Sequence, residues 1–296
     1  MTRAMTRIDQ IRQDLQQITT LPADRPMTMP GAFYTDPEYF ELETRTVLRR
    51  GWHCLGRTDE VPEAGDYFTA QLFNEPLIVV RGDDDLFRAL DAQLANYQAD
   101  SFRVVHVEEG IWKTNWKCLV ENFMEGYHLS VVHPQTLHGY TPTGLARKAV
   151  SGPGFTSYCA NYPEGIEARG RGAPTLTEAE RNRSTLYAIF PTQVTSQAAS
   201  LLVSLSIFPI SAGEIRVKWT MSARGDDLDQ ETIQQRISLW TEVNREDREK
   251  LERMQVALKS DHAQSGPLAG DDLEGTIRDF QIWLAQMDSP QSQAAE

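Results

Sequence analysis

Apolar residues recur at steps of three and four in several parts of the chain, the spacing that places them on one face of a helix. This pattern predicts helices over residues 7–19, 36–50, 115–128, 229–260 and 273–286. The fourth of these is the longest, and it contains neither proline nor glycine. Its apolar residues form one stripe along the helix: Ile233, Ile237, Trp240, Val243, Leu251, Met254 and Leu258.

Alternation of apolar and polar residues predicts strands in two other regions. The first region contains strands over residues 52–55, 67–73, 77–81 and 87–90. The second contains strands over residues 154–162, 185–190, 194–210 (with a break near Ala198) and 214–223. Strands joined by short turns form an antiparallel sheet, and the long helix is expected to pack across it. The predicted fold class is therefore α+β.

The composition restricts the kind of partner. The 296 residues, 40% hydrophobic and 24% charged, are typical of a soluble globular protein with one large or two small domains. A net charge of −13 argues against nucleic acid or an anionic membrane surface as partner. The start of the chain lacks the apolar run of a signal peptide, and residues 201–210 are too few to span a bilayer. We therefore expect a cytoplasmic protein.

Candidate metal ligands lie where the third predicted helix ends, in the pattern Glu125-x-x-His128-x-x-x-x-His133. A regular helix would place His128 and His133 about 140° apart around its axis. Both could reach one ion only if the helix loosens after His128, and Pro134 is consistent with such a break. Two imidazoles and a carboxylate suit a divalent first-row metal, and with open positions non-haem iron(II). The alternative is a pair of helix-end histidines with ordinary hydrogen-bond partners.

Asp247 interrupts the apolar stripe of the long helix, one turn after Val243 and one turn before Leu251. A carboxylate on a core-facing stripe is costly unless a cation or hydrogen-bond donors meet it. An arginine or lysine from another element could be that partner. With His128 and His133 already proposed as ligands, the same metal is the economical partner, which gives a site of two histidines and one carboxylate. Four glutamates lie off the stripe and are predicted to be solvated: Glu242, Glu246, Glu249 and Glu252.

From about residue 34 to residue 284, the chain resembles the alpha subunits of Rieske-type non-haem iron oxygenases. The similarity rests on Asn115-Trp116-Lys117, on Glu121-Asn122-Phe123, on the segment from Glu125 to Pro134, and on Glu246-Asp247 followed by Glu252, Gln255 and Leu258. Glutamate rather than aspartate at position 125 is similar to the branch that contains carnitine and glycine-betaine oxygenases.

The resemblance implies a helix-grip catalytic domain in which His128, His133 and Asp247 hold mononuclear Fe(2+). It implies that Glu125 relays electrons from a Rieske cluster in a neighbouring subunit of a trimer, although most helix carboxylates are simply solvated. It also implies O2 and a small-molecule substrate, with electrons from a reductase or ferredoxin. The predicted organisation is an arm (1–33), a remnant of a Rieske-like domain (34–90), a catalytic domain (91–288) and a disordered tail (289–296).

One part of the family pattern is missing. Family members continue from the equivalent of Leu90 into a Cys-x-His pair and then a Cys-x-x-His pair that hold a [2Fe–2S] cluster. This chain continues instead through residues 91–97, which resemble the linker into the catalytic domain. Its three cysteines, Cys54, Cys118 and Cys159, have no histidine two or three residues later, so they cannot build that cluster in the known spacing.

Aromatic residues on the predicted strands and the long helix are candidates for a substrate wall: Tyr158, Tyr187, Phe190, Trp219 and Trp240. We predict Tyr187, Trp219 and Trp240 as substrate-binding residues. An aromatic cage for a trimethylammonium group is one interpretation, and ordinary core packing is the other.

Two functions are compatible with the sequence. The first is an oxygenase catalytic subunit that hydroxylates or demethylates a small quaternary ammonium or aromatic substrate, with electrons supplied by another subunit. The second is a non-catalytic metal- or ligand-binding module that assembles with an intact homologue. A third interpretation is an incomplete gene model or a deletion product without an independent role.

Overall fold

The computed structural model describes residues 5–63, 65–73, 75–80, 88–166, 170–225 and 227–289. Its helices are α1 (Arg7–Thr20), α2 (Ala32–Thr35), α3 (Pro37–Thr46), α4 (Arg88–Leu94), α5 (Trp116–Phe123), α6 (Leu129–Val132), α7 (Glu178–Arg181), α8 (Gln230–Ala257) and α9 (Asp271–Met287). Its strands are β1 (Tyr67–Leu72), β2 (Glu75–Val80), β3 (Phe102–Trp112), β4 (Ala146–Lys148), β5 (Phe155–Asn161), β6 (Arg183–Ile189), β7 (Gln193–Gln197), β8 (Leu201–Ser211) and β9 (Glu214–Arg224).

A seven-stranded antiparallel sheet in the order β3-β9-β8-β7-β6-β5-β4 forms the centre of the fold. The predicted alternation in β9 is observed, because Ile215, Val217 and Met221 are buried in the main core. Residues of α8, among them Trp240 and Leu251, belong to the same core. These findings confirm the α+β class and the packing of a long helix on an antiparallel sheet. The predicted break near Ala198 is also confirmed, since β7 ends at Gln197.

The N-terminal segment is part of this core. Thr6 and Asp9 form a capping box at the start of α1, which satisfies backbone donors that the first turn leaves free. Ile11, Leu15 and Ile18 are buried on one face of the helix, as their spacing predicts. Polar contacts tie α1 to α9 and the residue after it, through Arg12 Nε to Asp288 Oδ2 at 2.9 Å. The predicted arm therefore includes a helix that packs on the last helix of the chain.

Two predicted strands are wrong. Residues 52–55 form no strand, although Trp52 forms an isolated bridge with Pro191. Residues 88–94 form helix α4 in place of a strand over 87–90, because Ala89, Leu90 and the residues after them favour helix. Residue 87 lies outside the described residues.

Strands β3 and β4 were not predicted. β3 is an edge strand whose register shifts between Val104 and His106, and this irregularity breaks the period of two that marks a strand. β4 has only three residues, too few to show an alternating pattern.

The apolar stripe of α8 also ends differently from the prediction. Met254 is 41% exposed, whereas Gln255 is buried. In the part of the chain that the structure describes, no helix is long and apolar enough to cross a membrane.

Candidate metal centre

The helix that leads to the two histidines is fixed at its first residue. Asn115 caps α5 by accepting a hydrogen bond from the Lys117 backbone N–H at 2.9 Å. Its own backbone N–H donates to Gln255 Oε1 at 2.9 Å, and its side-chain amide donates to the Ala212 carbonyl at 2.9 Å. The buried amide of Gln255 therefore ties the start of α5 to α8, the helix that carries Asp247.

The predicted helix through His128 is wrong at its end, because α5 stops at Phe123. A short turn follows, and α6 then runs from Leu129 to Val132, so His128 and His133 flank this second helix. The turn approaches the sheet closely at Gly126, where a Cβ atom would lie 2.4 Å from Cβ of Ala146. The change of direction brings both histidines to one point, which a single regular helix could not do.

The structure brings together the three predicted ligands. One ligand atom from each of His128, His133 and Asp247 lies within 4.8 Å of the other two. Asp247 Oδ1 is 3.8 Å from Nε2 of His128 and 3.0 Å from Nε2 of His133. His133 and Asp247 are buried, and His128 is partly buried.

Two polar atoms of these three side chains lack a hydrogen bond. His133 Nε2 and Asp247 Oδ1 are buried and have no hydrogen-bond partner of acceptable geometry. Burial would raise the pKa of the Asp247 carboxyl, but the adjacent His133 and His128 rings hold that pKa below its usual value. Buried polar atoms without partners require an explanation, and a cation coordinated by all three side chains provides one. Two imidazoles and one carboxylate match the ligand preference of non-haem iron(II).

Each histidine has a carboxylate on the other side of its ring. His128 Nδ1 makes a very short contact with Glu125 Oε1, and Glu125 Oε2 accepts from the His128 backbone N–H at 3.2 Å. His133 Nδ1 lies 2.8 Å from Glu246 Oε2, which also accepts from the Thr136 hydroxyl at 2.7 Å. Carboxylates in this position orient a metal-binding imidazole and direct Nε2 toward the metal.

The prediction that Glu246 is solvated is wrong. The sequence placed it off the apolar stripe and predicted solvation, but it is only 15% exposed and contacts His133. The stripe describes one helix alone, whereas the partner of Glu246 is His133, the residue that follows α6. Its adjacency to Asp247 was the available signal, because a helix that presents Asp247 to a metal also brings the preceding residue near the ligands.

Burial and charge oppose each other at the histidines as well. Burial would lower the pKa of His128, but the carboxylates of Glu125 and Asp247 raise that pKa above its usual value. Glu125 itself is 6% exposed. The structure places it against His128 of the same chain, and its role as an electron relay stays a prediction.

The candidate substrate residues do not all lie with the metal ligands. Tyr158 pairs with Leu186 across the sheet, and its ring would lie 3.4 Å from a Cβ atom at Gly126. Side chains alternate along a strand, so Tyr187 lies on the opposite face from Leu186. There it packs with Leu90 and Phe155 in a separate cluster. The structure therefore does not bring Tyr187 to the metal ligands.

The two tryptophans lie in the main core. Trp240 is on α8 seven residues before Asp247, which corresponds to about 10 Å along the helix on a similar face. Trp219 packs on the His106 ring, with ring centroids 4.5 Å apart, and lines a cavity of about 240 Å³ that Asn244 also borders. Their role in substrate binding stays a prediction.

A [2Fe–2S] cluster does not fit the cysteines. Cys54 is exposed, whereas Cys118 and Cys159 are buried, and none forms a disulfide. Burial raises the pKa of the Cys118 thiol, which therefore stays neutral. Among the described residues, one group of three or more histidine, cysteine, aspartate or glutamate side chains lies close enough together to bind a single metal ion. It consists of His128, His133 and Asp247.

Comparison with known proteins places residues 93–289 in the family described as the ring hydroxylating alpha subunit (catalytic domain). The glycine betaine monooxygenase oxygenase subunit of Chromohalobacter salexigens is 23% identical, over 38% of this chain and 44% of the relative. The carnitine monooxygenase oxygenase subunit of Escherichia coli K12 is 39% identical over 62 residues, 21% of this chain and 17% of the relative. The matches thus span less than half the length of these curated relatives.

Solved structures show the same fold. The quaternary ammonium Rieske monooxygenase CntA in complex with γ-butyrobetaine has a TM-score of 0.70 at 16% identity, covering 94% of this chain and 99% of that chain. Naphthalene 1,2-dioxygenase from a Rhodococcus species has a TM-score of 0.72 at 15% identity, covering 95% and 98%. At these identities the likeness establishes the architecture.

Proposed function

The chain belongs to the ring-hydroxylating alpha-subunit family, and on that premise we propose that it is the iron-binding catalytic subunit of a non-haem oxygenase. Its reaction is the O2-dependent hydroxylation or demethylation of a small quaternary ammonium or aromatic substrate. The observation that carries this proposal is the convergence of His128, His133 and Asp247, two of which have buried polar atoms that make no hydrogen bond of acceptable geometry.

The side chains around the trio support a metal-binding role for it. Glu125 and Glu246 accept hydrogen bonds from the Nδ1 sides of the two histidines, which leaves both Nε2 lone pairs for a metal. Asp247 adds a negative charge in a buried position. His128, His133 and Asp247 would hold Fe(2+), which would supply the capacity to activate O2 beside a bound substrate. The buried setting limits the access of water to that reaction.

The electrons for this reaction come from outside the chain in our proposal, since its cysteines do not fit a [2Fe–2S] cluster. A reductase or ferredoxin, or a cluster-bearing homologous subunit in a trimer, would deliver them. Glu125 is the proposed entry point, because its carboxylate contacts the Nδ1 side of His128.

The substrate class is proposed from the relatives. Their names describe glycine betaine and carnitine monooxygenases and a naphthalene dioxygenase. Trp219 and Trp240 remain candidates for the substrate wall because they share the main core with the helix that carries Asp247. The absence of cluster ligand pairs favours the second candidate function, a metal-binding module that assembles with an intact homologue.

Turnover assays distinguish these functions. Iron-loaded protein is mixed with O2, NADH and a reductase, with or without a cluster-bearing alpha subunit whose own mononuclear site is inactivated. Carnitine, glycine betaine and naphthalene are supplied in turn, and products are identified by mass spectrometry. We expect product only when the cluster-bearing subunit is present, and none with Asp247→Asn. Product formed without that subunit would refute the proposal that an external cluster supplies the electrons. No product in any of the assays would favour the metal-binding module.

A further inference from the structure

A second cavity, of about 260 Å³, lies on the face of the sheet that is opposite Tyr158 and Leu186. Its floor consists of residues that face each other across β5 and β6, where Cys159 pairs with Thr185 and Ser157 pairs with Tyr187. Tyr97, in the short turn that follows α4, also lines the cavity. The sheet therefore separates this cavity from the metal ligands.

Two hydrogen-bond donors at this cavity have no partner. Tyr97 is only 2% exposed, and its hydroxyl is buried without a hydrogen bond of acceptable geometry. Nε of Arg183, at the start of β6, is buried and equally without a partner. An unsatisfied buried donor costs about 1–3 kcal/mol. Two such donors at one cavity are suited to a bound group that accepts hydrogen bonds.

The acidic side chain at the cavity does not fill this role. Glu180 accepts from Asn96 Nδ2 at 3.1 Å and from the Thr177 backbone N–H at 2.7 Å, and it also closes the capping box of α7. Its oxygens accept from these neighbours. Burial would raise the pKa of this carboxyl, but the hydrogen bonds from Thr177 and Asn96, with the nearby charge of Arg183, hold that pKa below its usual value. Arg183 remains the source of positive charge for a ligand.

We propose that this cavity binds a small organic carboxylate. A carboxylate accepts at both oxygens, and the planar guanidinium of Arg183 matches it as a charged donor. Burial raises the pKa of the Tyr97 hydroxyl and of the Tyr187 hydroxyl, so both phenols stay protonated and able to donate. The volume corresponds to about eight or nine water-sized groups, which limits the ligand to a short aliphatic or single-ring acid.

The ligand would also stabilise the segment above the cavity. The Thr175 hydroxyl donates to the Asn96 carbonyl at 2.6 Å, and Asn96 in turn contacts Glu180, so this segment is already attached to the residues around α7. A carboxylate held by Tyr97 and Arg183 adds a connection from the same segment to β6. Binding to the folded state alone raises the melting temperature by an amount that grows with the logarithm of the ligand concentration above the Kd.

The test uses metal-free full-length protein, so that carboxylate binding to iron does not contribute. Propionate and benzoate are titrated by calorimetry and thermal unfolding, beside propionamide and benzamide as neutral probes of the same shape. We expect saturable binding and a rise in melting temperature with the acids, and neither with the amides. Equal effects of acid and amide would overturn the proposal because the carboxylate charge would not matter, and no saturable binding at all would mean that the cavity holds only water.

Substitutions test whether the acids bind in this cavity. Arg183→Gln is expected to weaken acid binding at least about tenfold, and Tyr97→Phe about three- to tenfold, as for the loss of a charged and a neutral hydrogen bond. Arg183→Lys keeps the charge but lacks the planar guanidinium donor. It tests the same contact in case Arg183→Gln does not fold. Arg253→Gln, on the exposed side of α8, is the matched control and should bind like the unaltered protein. Unchanged affinity in Arg183→Gln would overturn the proposal.

Discussion

The imidazole rings of His128 and His133 are each held from two sides, with a glutamate at Nδ1 and Asp247 near Nε2. The glutamates come from different elements, since Glu125 precedes α6 and Glu246 lies on α8. This arrangement fixes both rings before a metal arrives. It predicts that the outer carboxylates affect metal affinity although they do not ligate the metal in our proposal.

Glu246→Ala should lower the affinity for Fe(2+) by about 10- to 100-fold, because His133 loses the acceptor that orients its ring. Anaerobic competition with a coloured chelator measures this affinity. Glu249→Ala is the control, since Glu249 lies on the same helix and contacts only exposed arginines in the described part of the chain. Equal affinities for the two variants would show that Glu246 does not orient His133.

Glu121 offers a test through pH. Its carboxylate accepts from the Tyr34 hydroxyl at 3.0 Å, and burial raises its pKa from 4.5 to about 7. The folded protein therefore binds more protons than the unfolded chain between these values. The contribution of this group to stability is full below pH 4.5 and is lost as the pH rises through 7.

Replacement Glu121→Gln should remove this pH dependence. The quantity to compare is the free energy of unfolding of the variant minus that of the unaltered protein. We expect this difference to be higher at pH 8 than at pH 5, by about 2–3 kcal/mol at most. Urea unfolding of metal-free protein at both pH values measures the difference. Exposed Glu164→Gln is the control, and a difference for Glu121→Gln that does not vary with pH would contradict the assigned pKa shift.

Among the elements, the sequence predicted those whose pattern depends on a single helix or strand. The stripe of α8 identified Asp247 as the one carboxylate in a buried row, and the alternation in β9 identified its buried face. Features that depend on two elements were missed. The end of α5 at Phe123 follows from the close approach of Gly126 to Ala146, and the face of Tyr187 follows from the register of β6.

Elements α3 and α5 are joined by a buried ion pair. Lys117 Nζ lies 2.8 and 2.9 Å from the two Glu43 oxygens, and Trp116 Nε1 donates to the same carboxylate at 2.9 Å. Burial raises the pKa of Glu43, and the Lys117 charge opposes that rise. The pair links the segment predicted as a Rieske-like remnant to the helix that leads to the metal ligands.

Lys117→Met should lower the free energy of unfolding by about 3–5 kcal/mol, because Glu43 is left buried without its cation. Double replacement Lys117→Met with Glu43→Leu should recover most of this loss, since two apolar side chains carry no desolvation cost. Denaturant titration of both variants measures the effect. Arg253→Met, which breaks an exposed pair with Glu249, serves as the control and should cause no measurable loss. A double variant as unstable as the single one would show that packing, rather than charge, holds these elements together.

At the scale of the whole molecule, the resemblance seen in the sequence identified the family and the fold correctly, because each of its motifs is short and can be recognised along the chain. The packing of α1 against α9 was not foreseen, since those segments are more than 250 residues apart. The proposed division into an arm, a remnant, a catalytic domain and a tail stays a prediction. The main core includes residues of α1 and α3 together with those of the large sheet.

The chain as a whole combines a complete set of candidate iron ligands with cysteines that do not fit a cluster. Our account therefore separates oxygen chemistry, which it assigns to this chain, from electron supply, which it assigns to a partner. These two assignments can be tested separately. Loss of the iron site would remove the first, and a cluster on this chain would remove the second.

The most direct measurement is the content of iron and acid-labile sulfide per chain in anaerobically purified protein, with His128→Ala as the comparison. Our account predicts about one iron per chain and no labile sulfide, with the iron lost in the variant because one of three ligands is removed. Iron retained by His128→Ala would contradict the proposed ligands. Labile sulfide in the purified chain would contradict the external electron supply.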